Sequence, residues 1–167
     1  CMLEIALQKG KQLPVSKRYV VAQHEQVEKL ALSYGYEIIH NKHPEKGISH
    51  SIVLAVNSCK EDDGILFMVA DQPLLKETTL QNILEKADEK HIVCVGNHDN
   101  FQNPMLFPKR YYEELLQLQG DKGAKKIAYV HKENVICVPC EKDEVFDFDT
   151  KKELQQFMME GLNKDKC

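Results

Sequence analysis

Apolar positions along this chain follow two rhythms, a helical spacing near 3.6 residues and short unbroken runs. Helical spacing governs residues 2–12, 24–34, 77–88 and 109–118; the runs at 18–22, 36–39, 65–70 and 92–96 read as strands. Local punctuation agrees. Leu13-Pro14 breaks the first helix, Gly35 closes the second, and Ser49 or Ser51 is placed to cap a helix reaching about Cys59. After Gly96 the pattern changes. Residues 98–107 read as a loop rich in Asn and Gln that ends in the apolar piece Met105-Leu106-Phe107, a small inserted flap supplying substrate contacts. Gly120-Asp-Lys-Gly-Ala124 is a turn into another helix, residues 134–139 and 145–148 are strand-like, and a last helix runs from Thr150 to about Gly161. Alternating strands and helices predict one α/β domain over residues 1–167, with a doubly wound, mostly parallel sheet.

One run stands apart. Gly64-Ile-Leu-Phe-Met-Val-Ala-Asp-Gln-Pro73 is continuously apolar until it meets a carboxylate and a turn, as expected of a strand covered on both faces. Ligands of open α/β sheets collect beyond the carboxyl ends of the strands, where a metal or phosphate would meet Asp71. An aspartate opening the turn before Gln72-Pro73 accounts for the same residue equally well. Composition narrows the classes of function. With 22 basic and 26 acidic residues the net charge is -4, and the basic residues are interleaved with acids, which does not suit non-specific nucleic-acid binding. No apolar run approaches a bilayer span and no signal-peptide pattern is present, so a cytoplasmic protein is expected. The six cysteines are scattered; Cys137-Val-Pro-Cys140 lacks a second ligand pair, and free thiols in a reducing compartment are expected.

Asp147 and Asp149 alternate with aromatics in Phe146-Asp-Phe-Asp-Thr150, so both acids project from one face. Like charges gathered at a strand end are costly unless a cation neutralises them, and magnesium takes one or two carboxylates together with substrate phosphates. Asp71 with Asp149, or with Asp147, fits that requirement; Asp149 or Thr150 also suits the cap of the last helix. Gly47-Ile-Ser-His-Ser51 is a second candidate, a glycine entering a helix whose first turn offers N–H groups and hydroxyls to an anion. No Ser/His/Asp or Cys/His order supports nucleophilic catalysis.

Together, Asn41…Pro44-Glu-Lys-Gly47-Ile-Ser-His-Ser51, Ala70-Asp-Gln-Pro73, Asn103-Pro104, Gly120-Asp-Lys-Gly-Ala124 and Asp147-Phe-Asp-Thr150 resemble the molybdenum cofactor nucleotidylyltransferases, over residues 2–154. The Ala-Asp-Gln-Pro and Gly-Asp-x-Gly-Ala forms look closer to the cytidylyltransferase branch than to the guanylyltransferase branch. The resemblance implies a magnesium-dependent reaction of CTP with molybdopterin phosphate, releasing pyrophosphate, and a molybdenum hydroxylase as client. By the same resemblance, Asp71 and Asp149 would be catalytic. Asp71, Asp147 and Asp149 would hold the metal, and Asn41, Gly47, Ser49, Ser51 and Asp71 would face the nucleotide. Asn103, Pro104, Asp121, Gly123 and Ala124 would shape the pterin pocket. The family also opens with a strand and a glycine-rich loop around the triphosphate, which the sequence from Cys1 lacks. A fragment with exposed strand edges, unable to transfer nucleotide alone, is the expectation. Two other readings stand beside the enzyme: a sugar-phosphate nucleotidylyltransferase, and a non-catalytic factor that carries molybdopterin to a hydroxylase.

Overall fold

The computed structural model describes residues 1–164. Its elements are α1 (Met2–Lys11), β1 (Tyr19–Ala22), α2 (Glu25–Ser33), β2 (Glu37–His40), α3 (Ile48–Ser58), β3 (Gly64–Phe67), α4 (Glu77–Glu85), β4 (Ile92–Asn97) and β5 (Asn100–Pro108). Next come α5 (Tyr112–Leu116), α6 (Lys125–Val130), β6 (Val135–Val138) and α7 (Lys151–Lys164). Short 3-10 turns at Pro44–Lys46 and Lys142–Val145 precede α3 and α7. Cys167 lies outside the described residues.

The sheet differs from the expected doubly wound, mostly parallel one. β1 and β2 form a parallel pair, and a separate four-stranded sheet runs β3-β5-β4-β6. β5 is antiparallel to both β3 and β4, while β4 and β6 are parallel, so the architecture is mixed. Lys17 and Asp62 pair at 3.0 Å just ahead of β1 and β3, yet no ladder joins those two strands.

Layering accounts for the apolar run of β4. In β4, Ile92 and Cys94 face a core built with Ile52 and Val56 of α3, Leu115 of α5 and Ile127 of α6. Val93 and Val95 face the opposite side, against Ile83 of α4. Both faces are covered, and residues 92–95 are fully buried. β3, expected to be covered on both faces, is instead half-buried at its sheet's edge, and its ladder stops at Phe67 rather than Ala70.

The inserted flap is corrected too. Residues 100–108 form β5, the strand between β3 and β4, with Phe101, Met105 and Phe107 fully buried. Cys94 pairs with Met105 and Val95 with Gln102, so Asn103 and Pro104 are the bulge between two registers. That bulge interrupts the alternation that would otherwise mark a strand. The expected strand at 145–148 is likewise the end of a 3-10 turn and an extended arm. The expected helix at 109–118 is a 3-10 turn followed by the shorter α5.

Candidate active site

Asp71 stands four residues past the end of β3, at the strand's carboxyl end. Its main-chain carbonyl accepts the Phe148 N–H at 2.8 Å, which lays the arm 146–150 alongside the turn. The neighbouring Gln72, buried itself, donates its Nε2 to Asp147 Oδ1 at 2.9 Å. Asp71, Asp147 and Asp149 are thereby brought together from positions more than seventy residues apart. Asp71 Oδ1 is buried without a hydrogen-bond partner, and so is Gln72 Oε1. Burial first, then the Asp147 charge and to a lesser degree that of Asp149, hold the Asp71 carboxyl above the usual carboxylate range.

The last helix settles one ambiguity. Thr150 Oγ1 accepts the Glu153 N–H at 3.2 Å, while Glu153 accepts the N–H groups of Asp149 and Thr150 at 3.0 and 3.3 Å. Thr150 and Glu153 therefore make the cap, and the Asp149 carboxylate takes no part in it.

An orphaned, buried carboxylate oxygen beside two further acids fits a hard divalent cation, which would relieve both desolvation and repulsion. Among the described residues no three His, Cys, Asp or Glu side chains close into a ready-made metal cage. Magnesium suits such a half-built site, because it keeps waters and takes substrate phosphates as ligands.

A second locus lies at the carboxyl ends of β1 and β2. Gly47, the residue ahead of α3, has φ 79° and ψ -177°, backbone that side chains with a Cβ avoid. A Cβ there would also stand 2.6 Å from the Gly120 carbonyl oxygen and collide with Asp121. Gly47 and Asp121 form a wall between two cavities. One, of about 430 Å³, is lined by Lys46, Ser49, His50 and Gln119; the other, of about 370 Å³, by Gln23, Asn41, Ile48 and Ser51. Sequence reasoning assigned Gly47 to one substrate and Asp121 to the other, and the structure puts them in contact.

Other expected site residues sit differently. Asn41 is buried with its amide committed to the chain: Nδ2 donates to Ser51 Oγ at 3.1 Å and Oδ1 accepts the His43 N–H at 2.9 Å. It builds the 41–47 loop. Pro104 is fully buried and Ala124 is packed into the core, so each shapes its surroundings from inside, while Asn103 and Gly123 remain half-buried. Neither cavity is lined by Asp71, Asp147 or Asp149. Gln72 was the partner that sequence reasoning missed: its residue type was in plain view, but its contact with Asp147 exists only in the fold. Cys94 and Cys137 face each other across β4 and β6 as free thiols, and burial pushes the Cys94 thiol up to about 12.

The fold is thus a mixed α/β architecture with acids gathered past the carboxyl end of β3 and polar cavities at the ends of the separate β1–β2 pair. Comparison with known proteins makes this specific: residues 1–135 match the MobA-like NTP transferase domain, and the chain belongs to that family. A nucleotidyl transferase from Methanothermobacter superposes with a TM-score of 0.81 at 19% identity, covering 98% of this chain and 81% of its own. A Mycobacterium tuberculosis protein in complex with manganese gives 0.72 at 21% identity over 93% and 84%. Molybdopterin-guanine dinucleotide biosynthesis protein A from Archaeoglobus fulgidus gives 0.61 at 22% identity over 93% and 82%. At these identities the neighbours establish the fold. Among the described residues no helix is long and apolar enough to cross a membrane.

Proposed function

We propose that this member of the MobA-like family is a cytoplasmic molybdenum cofactor cytidylyltransferase. It joins CMP from CTP to the terminal phosphate of molybdopterin. A phosphate oxygen of the pterin attacks the α-phosphorus of CTP, the bond to the β-phosphate breaks, and pyrophosphate leaves. The observation that carries this reading is the buried, unpartnered Asp71 oxygen held beside Asp147 and Asp149. The Ala70-Asp-Gln-Pro73 and Gly120-Asp-Lys-Gly-Ala124 forms support the choice of cytidine and pterin.

In this mechanism Asp71, with Asp147 and Asp149, would hold magnesium, which when bound supplies charge neutralisation at the reacting phosphates. Gln72 fixes Asp147 so that its carboxylate is oriented before substrate arrives. The N–H groups of Gly47, Ser49 and His50 are bonded within the chain, so the Ser51 hydroxyl would be the group offered to the nucleotide, with the Asp121 side of the same wall toward the pterin. Little covalent work falls to the protein; positioning and electrostatics do most of it.

The test is pyrophosphate release from protein mixed with magnesium, molybdopterin and either CTP or GTP. Release with CTP, together with a cytidine dinucleotide product, is the expected result. A second reading, a non-catalytic molybdopterin carrier serving a hydroxylase, is favoured by the separation of both cavities from the three carboxylates. Molybdopterin binding with no nucleotide binding would decide for the carrier.

A further inference from the structure

Glu144 lies outside every motif that pointed to the function, yet it is buried, with 3% of its surface exposed. Its two oxygens join separate parts of the chain. Oε2 accepts the Lys76 N–H at 3.0 Å and the Thr79 hydroxyl; Oε1 accepts the Glu141 N–H at 3.0 Å. Burial pushes this carboxyl up, but the hydrogen bonds from Thr79, Glu141 and Lys76 outweigh it, and Glu144 stays below the usual range and charged.

Its neighbours give these bonds their meaning. Lys76 follows closely on Asp71-Gln72, and Asp147 follows closely on Glu144. The Gln72–Asp147 and Phe148–Asp71 bonds join the same two stretches from the other end. The two segments are thus fastened twice, once at Glu144 and once at the carboxylates. We propose that Glu144 is a positioning residue: by clamping the Lys142–Val145 turn to the start of α4, it sets the register that turns Asp147 and Asp149 toward Asp71. This rests on reading those three acids as the cation-facing site. Each oxygen accepts a main-chain N–H, so an amide cannot replace the carboxylate; its NH₂ would confront the N–H of Lys76 or of Glu141.

The experiment compares Glu144→Gln with Asp88→Asn in the whole protein. Asp88 is an exposed carboxylate that accepts the Lys90 and His91 N–H groups beyond the far end of α4, so its substitution removes a negative charge away from the site. Two readouts are taken: hydrogen exchange of the Phe148 amide, and manganese affinity from the electron paramagnetic resonance of free Mn²⁺. Glu144→Gln is expected to speed Phe148 exchange and to weaken manganese binding by about tenfold or more, with Asp88→Asn changing neither. Should Glu144→Gln fail to fold, Thr79→Val removes one of the three donors and is expected to move both readouts the same way, by less. Unchanged Phe148 exchange, or equal acceleration in Asp88→Asn, overturns the proposal. Absence of manganese binding in the parent would instead overturn the cation reading, while the Phe148 amide still decides the clamp.

Discussion

Asp71 carries a charge that folding disfavours, and this makes the residue separable into a cost and a use. Its folded-state pKa is raised, so the protonated form suits the fold better than the ionised one. The stability this contributes is full below the unfolded pKa and is lost as pH rises through the folded value. Asp71→Asn is therefore expected to melt higher than the parent at neutral pH, the gap closing at about pH 3, where both states are protonated. Thermal unfolding at the two pH values checks this. The same substitution is expected to lower kcat by about 10²-fold or more in a form that turns over, because charge aimed at the transition state is lost. Stability gained where activity is lost marks a site kept for function. Gly47→Ala tests the other locus. Its backbone conformation and the collision with Asp121 are expected to cost about 1–3 kcal/mol in denaturant unfolding, and to displace the wall between the cavities.

At the scale of elements, β5 is where sequence and structure part most clearly. Asn100, Gln102 and Asn103 make its first half look like a loop, and the bulge at Asn103-Pro104 breaks the period of two. Only Met105-Leu106-Phe107 showed through as apolar. A central strand makes a prediction that a surface flap does not: Phe107→Ala is expected to cost about 3–5 kcal/mol in urea unfolding. Phe146→Ala, on a half-exposed ring, is expected to cost far less. The helices expected at 2–12, 24–34 and 77–88 were legible because their apolar spacing is regular, and Asp71 stood out because a carboxylate ending an apolar run is conspicuous. Asp147 and Asp149 stood out by their alternation with aromatics, although the strand that this alternation implied is a turn and an extended arm. Gln72, Glu144 and the closed amide of Asn41 were not legible, since their partners lie far off in sequence or inside a turn whose shape the pattern does not reveal. Strand order was also hidden, because β3 and β4 have equally apolar runs and only the packing decides which is enclosed.

At the scale of the whole molecule, a β4–β5 centre covered on both faces carries the candidate site residues at strand ends. The separate β1–β2 pair places Gly47 and Ser51 at one locus, while β3 and the arm before α7 bring the acids to another. A ligand spanning the two would tie them together, so magnesium and CTP are expected to stabilise the fold as a unit. At a concentration near 100 times Kd the gain is about 2.7 kcal/mol, measurable as a rise in melting temperature. The most direct measurement is calorimetric titration of CTP into the parent and into Asp71→Asn, each with magnesium and with a chelator. Binding that needs both the metal and the Asp71 carboxylate is the predicted result. Equal CTP affinity in the chelator, or in Asp71→Asn with magnesium, would contradict the assignment of these acids to a nucleotide-bound cation.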